Sequence, residues 1–168
     1  MTGPETGAGA ASVTDTLAAA LEHEHHEIDE GIEQFLAAER RDSARVEPLR
    51  RAIAALRRHI FLEEEFLFGP LRDAGQVAPI FVMLREHGEI WDTLDGIEAR
   101  LHGDLEEGGI DQLCRQLLGA LERHNAKEEA IVYPQANVVL DAAADAGLRA
   151  FLAAGRMPDG WTCARTGG

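Results

Sequence analysis

Cysteine is almost missing from this sequence, with two residues, Cys114 and Cys163, among 168. They are too few and too far apart for a disulfide scaffold or a Cys-x-x-Cys site, and they suit a reducing, cytoplasmic setting. Basic residues are outnumbered, 16 against 30 acidic, and the net charge of −14 works against nucleic acid and anionic membranes as partners. Both demand a basic surface to replace released counterions. No run approaches the roughly eighteen consecutive apolar residues of a membrane span, so a soluble protein is expected. Residues 1–11 carry Gly, Ala and Thr and lack the basic stretch and apolar core of a signal peptide, which reads as a disordered leader. Aromatic residues make up only 5 % and β-branched runs are scarce, whereas Ala and Leu abound. That composition favours helix.

What the sequence does contain is a helical period, four times over. Ser12 and Asp15 form a plausible capping box, followed by Leu21, Ile28, Ile32 and Phe35, so a first helix is expected over about 13–40. A second starts with Pro48 in its first turn and runs through Leu49, Ile53, Leu56, Ile60 and Leu67 until Gly69-Pro70 stops it. A third opens at Pro79, carries Ile80, Leu84, Leu94, Ile97 and Leu101, and closes at Gly103. The fourth runs from about Ile110 to Pro134. Four amphipathic helices with short connections predict an all-α, up-down-up-down four-helix bundle over 12–137. The remainder, 138–168, predicts a short extra C-terminal helix near Ala142–Ala154 and a tail, both packed on the bundle.

Polar residues on the apolar faces are the informative ones, because a core-facing stripe tolerates them only with partners. The stripes read Leu21, His25, Ile28, Ile32, Phe35; Leu49, Leu56, His59, Glu63, Phe66; Ile80, Leu84, His87, Trp91, Leu94; and Leu117, Leu121, His124, Glu128, Ile131. Each helix thus buries one histidine, and the second and fourth add a glutamate at i+4. One buried histidine is usually a satisfied core residue; four in register with two glutamates are not explained that way. The chain also repeats itself. Glu24-His25-His26-Glu27-Ile28 matches Glu86-His87-Gly88-Glu89-Ile90 at an offset of 62, and His59 with Glu63-Glu64 matches His124 with Glu128-Glu129 at 65. Leu67-Phe68 likewise echoes Val132-Tyr133. A two-fold repeat of ligands suits two ions better than one, with two imidazoles for each and both carboxylates bridging. Imidazole with carboxylate and no thiolate favours iron, manganese or zinc. His23, His26 and His102 fall off the stripes and read as surface residues; Cys114 reads as buried and inert, Cys163 as exposed.

The order of a lone histidine, His-x-x-x-Glu, a lone histidine and a second His-x-x-x-Glu resembles the hemerythrin-like family, over about residues 15–135. It rests on His25, His59-x-x-x-Glu63, His87 and His124-x-x-x-Glu128. The resemblance implies a non-haem centre of two iron ions with an oxo or hydroxo bridge, held by those six residues. Oxygen-carrying members have His-x-x-x-His on the third helix and an aspartate five residues after the fourth-helix histidine, where this chain has Trp91 and Glu128 at four. One imidazole is therefore missing near Trp91, and Glu64, Glu129, Tyr133 or water is left to complete the coordination. Such a centre is expected to react with or sense a small oxidant, namely hydrogen peroxide, oxygen or nitric oxide, in a stress response. Peroxide disproportionation is one form this would take. A non-catalytic oxygen, nitric oxide or iron binding or storage module is the alternative.

Overall fold

The computed structural model describes residues 16–39, 42–103 and 107–164. The expected leader over 1–11 and the Ser12–Asp15 capping box lie outside them. Within the described residues Thr16 caps the first helix, α1 (Leu17–Ala37), its hydroxyl accepting the Ala19 N–H at 3.1 Å. A 3₁₀ turn, Ser43–Arg45, leads into α2 (Val46–Leu62), which packs closely on α1. Gly31 makes the close approach feasible: a Cβ there would lie 2.8 Å from that of Ala52.

The predicted stops at Gly69-Pro70 and Pro134 do not occur. α2 passes into one wide π-turn, Glu63–Leu67, and continues as α3 (Phe68–Asp73). α5 (Glu107–Lys127) does the same through Glu128–Val132 into α6 (Tyr133–Val139). In each turn an amide reaches back five residues, Phe68 N–H to the Glu63 carbonyl and Tyr133 N–H to the Glu128 carbonyl. Each proline then falls in the first turn of the new helix, where a missing N–H is tolerated.

The wide turns also advance the buried face by one residue. The sequence stripe placed Phe66 and Ile131 inside. Leu67 is buried, as its place in the apolar run predicts, but Phe66 is only half-buried, Ile131 is 48 % exposed and Val132 is buried in its stead.

Between α3 and α4 (Val77–His102) the chain reverses at Gly75, whose φ of 101° suits a residue without a Cβ. The four long helical stretches, 17–37, 46–73, 77–102 and 107–139, form the bundle, with α1 on α2 and α4 on α5. The fifth helix, α7 (Ala142–Ala154), lies against α2 and its wide turn, capped by Asp141 accepting from Ala144 N–H at 2.8 Å. Among the described residues no helix is long and apolar enough to cross a membrane.

The core divides into two clusters. One holds Ile32, Phe35, Leu56, Leu94, Leu117 and their neighbours; the other holds Leu17, Leu67, Leu71, Ile80 and Phe151. A buried ion pair fastens the end of the first cluster. Arg45 donates to Asp111 at 2.7 Å and lies 4.1 Å above the Phe35 ring. Asp111→Ala is expected to cost about 3–5 kcal/mol, because it strands a buried guanidinium. Urea unfolding midpoints check this, and a loss below about 1 kcal/mol would show that the pair behaves as a surface pair.

The tail does not leave Cys163 exposed as expected; the thiol is buried. Trp161 folds the tail back, donating to Glu65 at 3.0 Å and packing on Phe61 and Trp91. Cys114 is buried as expected, and burial together with nearby Asp111 pushes its thiol up to about 12.

Candidate metal centre

Helical spacing delivers the four histidines to the junction of the two core clusters. His25 lies between Leu21 and Ile28, His59 between Leu56 and Leu62, and His87 between Met83 and Ile90. His124 lies between Leu121 and Val132. Glu63 and Glu128 open the two wide turns, one helical turn beyond their histidines, and both are fully buried. All six sequence-selected residues converge on one point of the bundle axis. His23, His26 and His102 stay on the surface.

The six form two groups that share both glutamates: His25, His59, Glu63 and Glu128 on one side, and Glu63, His87, His124 and Glu128 on the other. Within each group the potential ligand atoms lie within 4.8 Å of one another. On the first side the His25 and His59 Nε2 atoms are 3.1 Å apart, with Glu63 Oε1 3.4 Å from His59 and Glu128 Oε2 3.3 Å from His25. On the second side His87 Nε2 is 3.2 Å from Glu63 Oε2, and His124 Nε2 is 3.0 Å from Glu128 Oε1. Metal–ligand bonds of about 2.1 Å place neighbouring donors about 3.0 Å apart in an octahedron and about 3.4 Å in a tetrahedron. Three of these atoms, Glu63 Oε2, His87 Nε2 and Glu128 Oε1, are buried without a hydrogen-bond partner. Buried polar atoms that face a common point without partners fit a cation better than a finished hydrogen-bond network.

Each imidazole is held from behind by a carboxylate at Nδ1. The pairs are His25 with Glu129 at 2.9 Å, His59 with Glu24 at 2.8 Å, His87 with Glu64 at 2.8 Å and His124 with Glu86 at 3.0 Å. A proton held on Nδ1 by a carboxylate leaves the Nε2 lone pair free and aimed inward. Glu64 and Glu129 therefore orient imidazoles from outside the centre. Glu24 and Glu86 carry the same role and were missed as functional residues in the sequence. Their signal was there, since each immediately precedes a histidine in both copies of the repeat.

Residues beyond the bundle brace two of these pairs. Arg58 donates to Glu24 at 2.7 Å and to the carbonyls of Phe151, Leu152 and Gly155 at the end of α7. The Ala164 N–H donates to Glu64 at 2.8 Å.

Burial disfavours charge on His59, Glu63, His87, His124 and Glu128, yet the pairing overcomes it. Glu63 and Glu24 raise His59 to about 10, and carboxylates likewise raise His87 and His124. Burial and Glu128 push Glu63 up, but His59 and His87 outweigh them and hold it down at about 2; His124 and His25 hold Glu128 well below the usual range. Burial and the two glutamates push the Tyr133 phenol well up. The pocket is thus a fixed anionic pair demanding compensating positive charge, which protons on imidazole or a metal ion can supply.

The chamber beside His25, His59, Glu63, His124 and Glu128 has a volume of ≈ 10 Å³, about one water-sized sphere. Ile28, Leu56, Ile60, Ile90 and Leu121 line it, with Asn125 as an added polar group. Trp91 does not line it. Its ring packs between Arg57, 4.3 Å away, and Trp161, 5.5 Å away.

A helical bundle with two histidine–glutamate clusters sharing a pair of carboxylates at its centre defines a cation-binding class of protein. Residues 16–136 match the hemerythrin HHE cation binding domain, and the chain belongs to that family. Comparison with curated proteins and with solved structures gives no match.

Proposed function

We propose that the chain is a non-haem di-iron protein that reacts with a small oxidant: hydrogen peroxide, oxygen or nitric oxide. The observation that carries the proposal is the pair of four-residue clusters sharing Glu63 and Glu128. In this reading His25 and His59 hold one ion, His87 and His124 the other, and the two carboxylates span both. The donor set is borderline to hard, which fits iron, and the unpartnered Glu63, His87 and Glu128 atoms are the ones such ions would engage. Iron bound there would supply one-electron steps and Lewis acidity.

The rest is the work of the chain itself. Glu24, Glu64, Glu86 and Glu129 fix the histidine tautomers. The aliphatic wall keeps bulk water from the centre. The ≈ 10 Å³ chamber is about one water-sized sphere, a scale that favours a ligand of a few atoms over a larger substrate. The two cysteines are too few for a disulfide framework, which fits a cytoplasmic protein.

The test is anaerobic iron loading followed by stopped-flow mixing with each oxidant. Turnover of one of the three supports the proposal; spectral change without turnover points to sensing or storage, and no reaction with any of them defeats it. Glu24→Gln and Glu86→Gln each keep the shape of the contact and remove its charge. Each is expected to weaken metal binding about ten- to hundredfold, as for other lost partners of ligating histidines. Competition titration against a chelator checks this.

A further inference from the structure

The two-fold repeat that builds the centre is broken at one atom. His87 stacks on Phe68, ring centroids 5.3 Å apart and planes at 20°; on the opposite side His25 stacks on Tyr133 at 5.6 Å and 30°. Phe68 and Tyr133 occupy the same place in the repeat, each as the first residue after a wide turn. Both rings are buried, and they differ by a hydroxyl.

That hydroxyl is inside the centre. Tyr133 Oη lies 2.9 Å from His25 Nε2 and 3.2 Å from His59 Nε2; it donates to Glu63 Oε1 at 2.7 Å and approaches Glu128 Oε2 at 3.2 Å. Its four neighbours are the four potential ligands of the His25/His59 side. Its separations from them match those the four keep among themselves, the spacing expected of donors around one ion. By contrast, the three fully buried atoms without a hydrogen-bond partner, Glu63 Oε2, His87 Nε2 and Glu128 Oε1, lie on the His87/His124 side, where Phe68 packs.

We infer that Tyr133 is a fifth protein ligand, a phenolate oxygen reserved for the ion between His25 and His59, so that the two metal positions are chemically unequal. The inference rests on the di-iron reading above and adds to it which ion is anchored by five protein groups and which by four. On coordination the phenol O–H bond breaks, an oxygen–iron bond forms and the proton leaves to buffer; no electron moves. The His87/His124 ion, beside Phe68, is then held by four protein groups and no phenol oxygen.

The test is iron(III)-loaded protein, with metal content and visible absorption measured together and resonance Raman excited in the visible band. Phenolate bound to iron(III) gives a ligand-to-metal charge-transfer band with tyrosinate ring modes. Wild type is expected to show both, with one phenolate per two irons. Tyr133→Phe, which copies the residue already at position 68, is expected to lose the band completely while its helical circular dichroism is unchanged. Adding Phe68→Tyr to that variant is expected to restore a band from the other side. Wild type that binds two irons without tyrosinate modes, or Tyr133→Phe that keeps the band, overturns the inference and leaves the di-iron reading standing. A chain that binds no iron overturns both.

Discussion

Replacing Glu63 with glutamine is expected to empty both metal positions at once, taking metal content from two ions per chain to near none. The reason is topological. Glu63 belongs to both groups of ligand atoms, with one oxygen toward His59 and the other toward His87. An amide supplies one neutral oxygen and turns toward the second position an NH₂ group with no lone pair for a cation, so that side loses both the charge and a donor atom. The effect should exceed the ten- to hundredfold drop typical of a lost partner behind a histidine. Glu128→Gln is expected to behave alike. His124→Ala, which belongs to one group only, is expected to remove one ion and weaken the other. Elemental analysis of the purified variants separates these outcomes, and loss of a single ion in Glu63→Gln would refute the shared-carboxylate arrangement.

Removing the metal from the wild-type protein is expected to lower its melting temperature by about 10–20 °C. An ion that binds only the folded chain stabilises it by about 2.7 kcal/mol at a free concentration a hundred times its Kd, so two such ions give about 5 kcal/mol. For a domain of this size each kcal/mol corresponds to roughly 2–4 °C. The physical source lies in the centre itself, where two buried carboxylates face four imidazoles and three of the facing atoms lack a hydrogen-bond partner. Differential scanning calorimetry with and without a chelator measures the shift. A change below about 2 °C would mean that the folded chain does not depend on a cation at that position.

The fold was legible because its signals are local and repeated. Alternating steps of three and four apolar residues mark α1, α2, α4 and α5, and the apolar segment Ala142–Ala154 marks α7. The same stripes brought out His25, His59, Glu63, His87, His124 and Glu128, since a polar side chain on a core face is an anomaly that needs explaining. The wide turns were not legible. They hinge on one amide each reaching back five residues instead of four, and an apolar stripe cannot register an inserted residue until its phase has already slipped. That slip is why Ile131 was expected inside and Val132 was not, and why Gly69-Pro70 and Pro134 looked like ends.

Residues that act through others were harder still to read. Glu24 and Glu86 sit off the apolar face, where an acidic residue is ordinarily solvated, and only tertiary packing sets them behind His59 and His124. The tail was read as irregular, and nothing in its composition announces that Ala164 would reach Glu64. Trp91 was read as marking a vacant ligand position. The structure turns it toward Arg57 and Trp161. The hydroxyl at the centre comes from Tyr133 instead, on the fourth helical stretch and beside the opposite pair of histidines.

The central claim is that one pair of carboxylates, Glu63 and Glu128, joins two histidine pairs into a two-ion centre. Iron and zinc content per chain, determined on protein purified without added metal or chelator and again after anaerobic iron loading, tests it most directly. Two irons per chain are expected, falling to none in Glu63→Gln; a single ion per chain, zinc that iron cannot displace, or no metal in either preparation would contradict it.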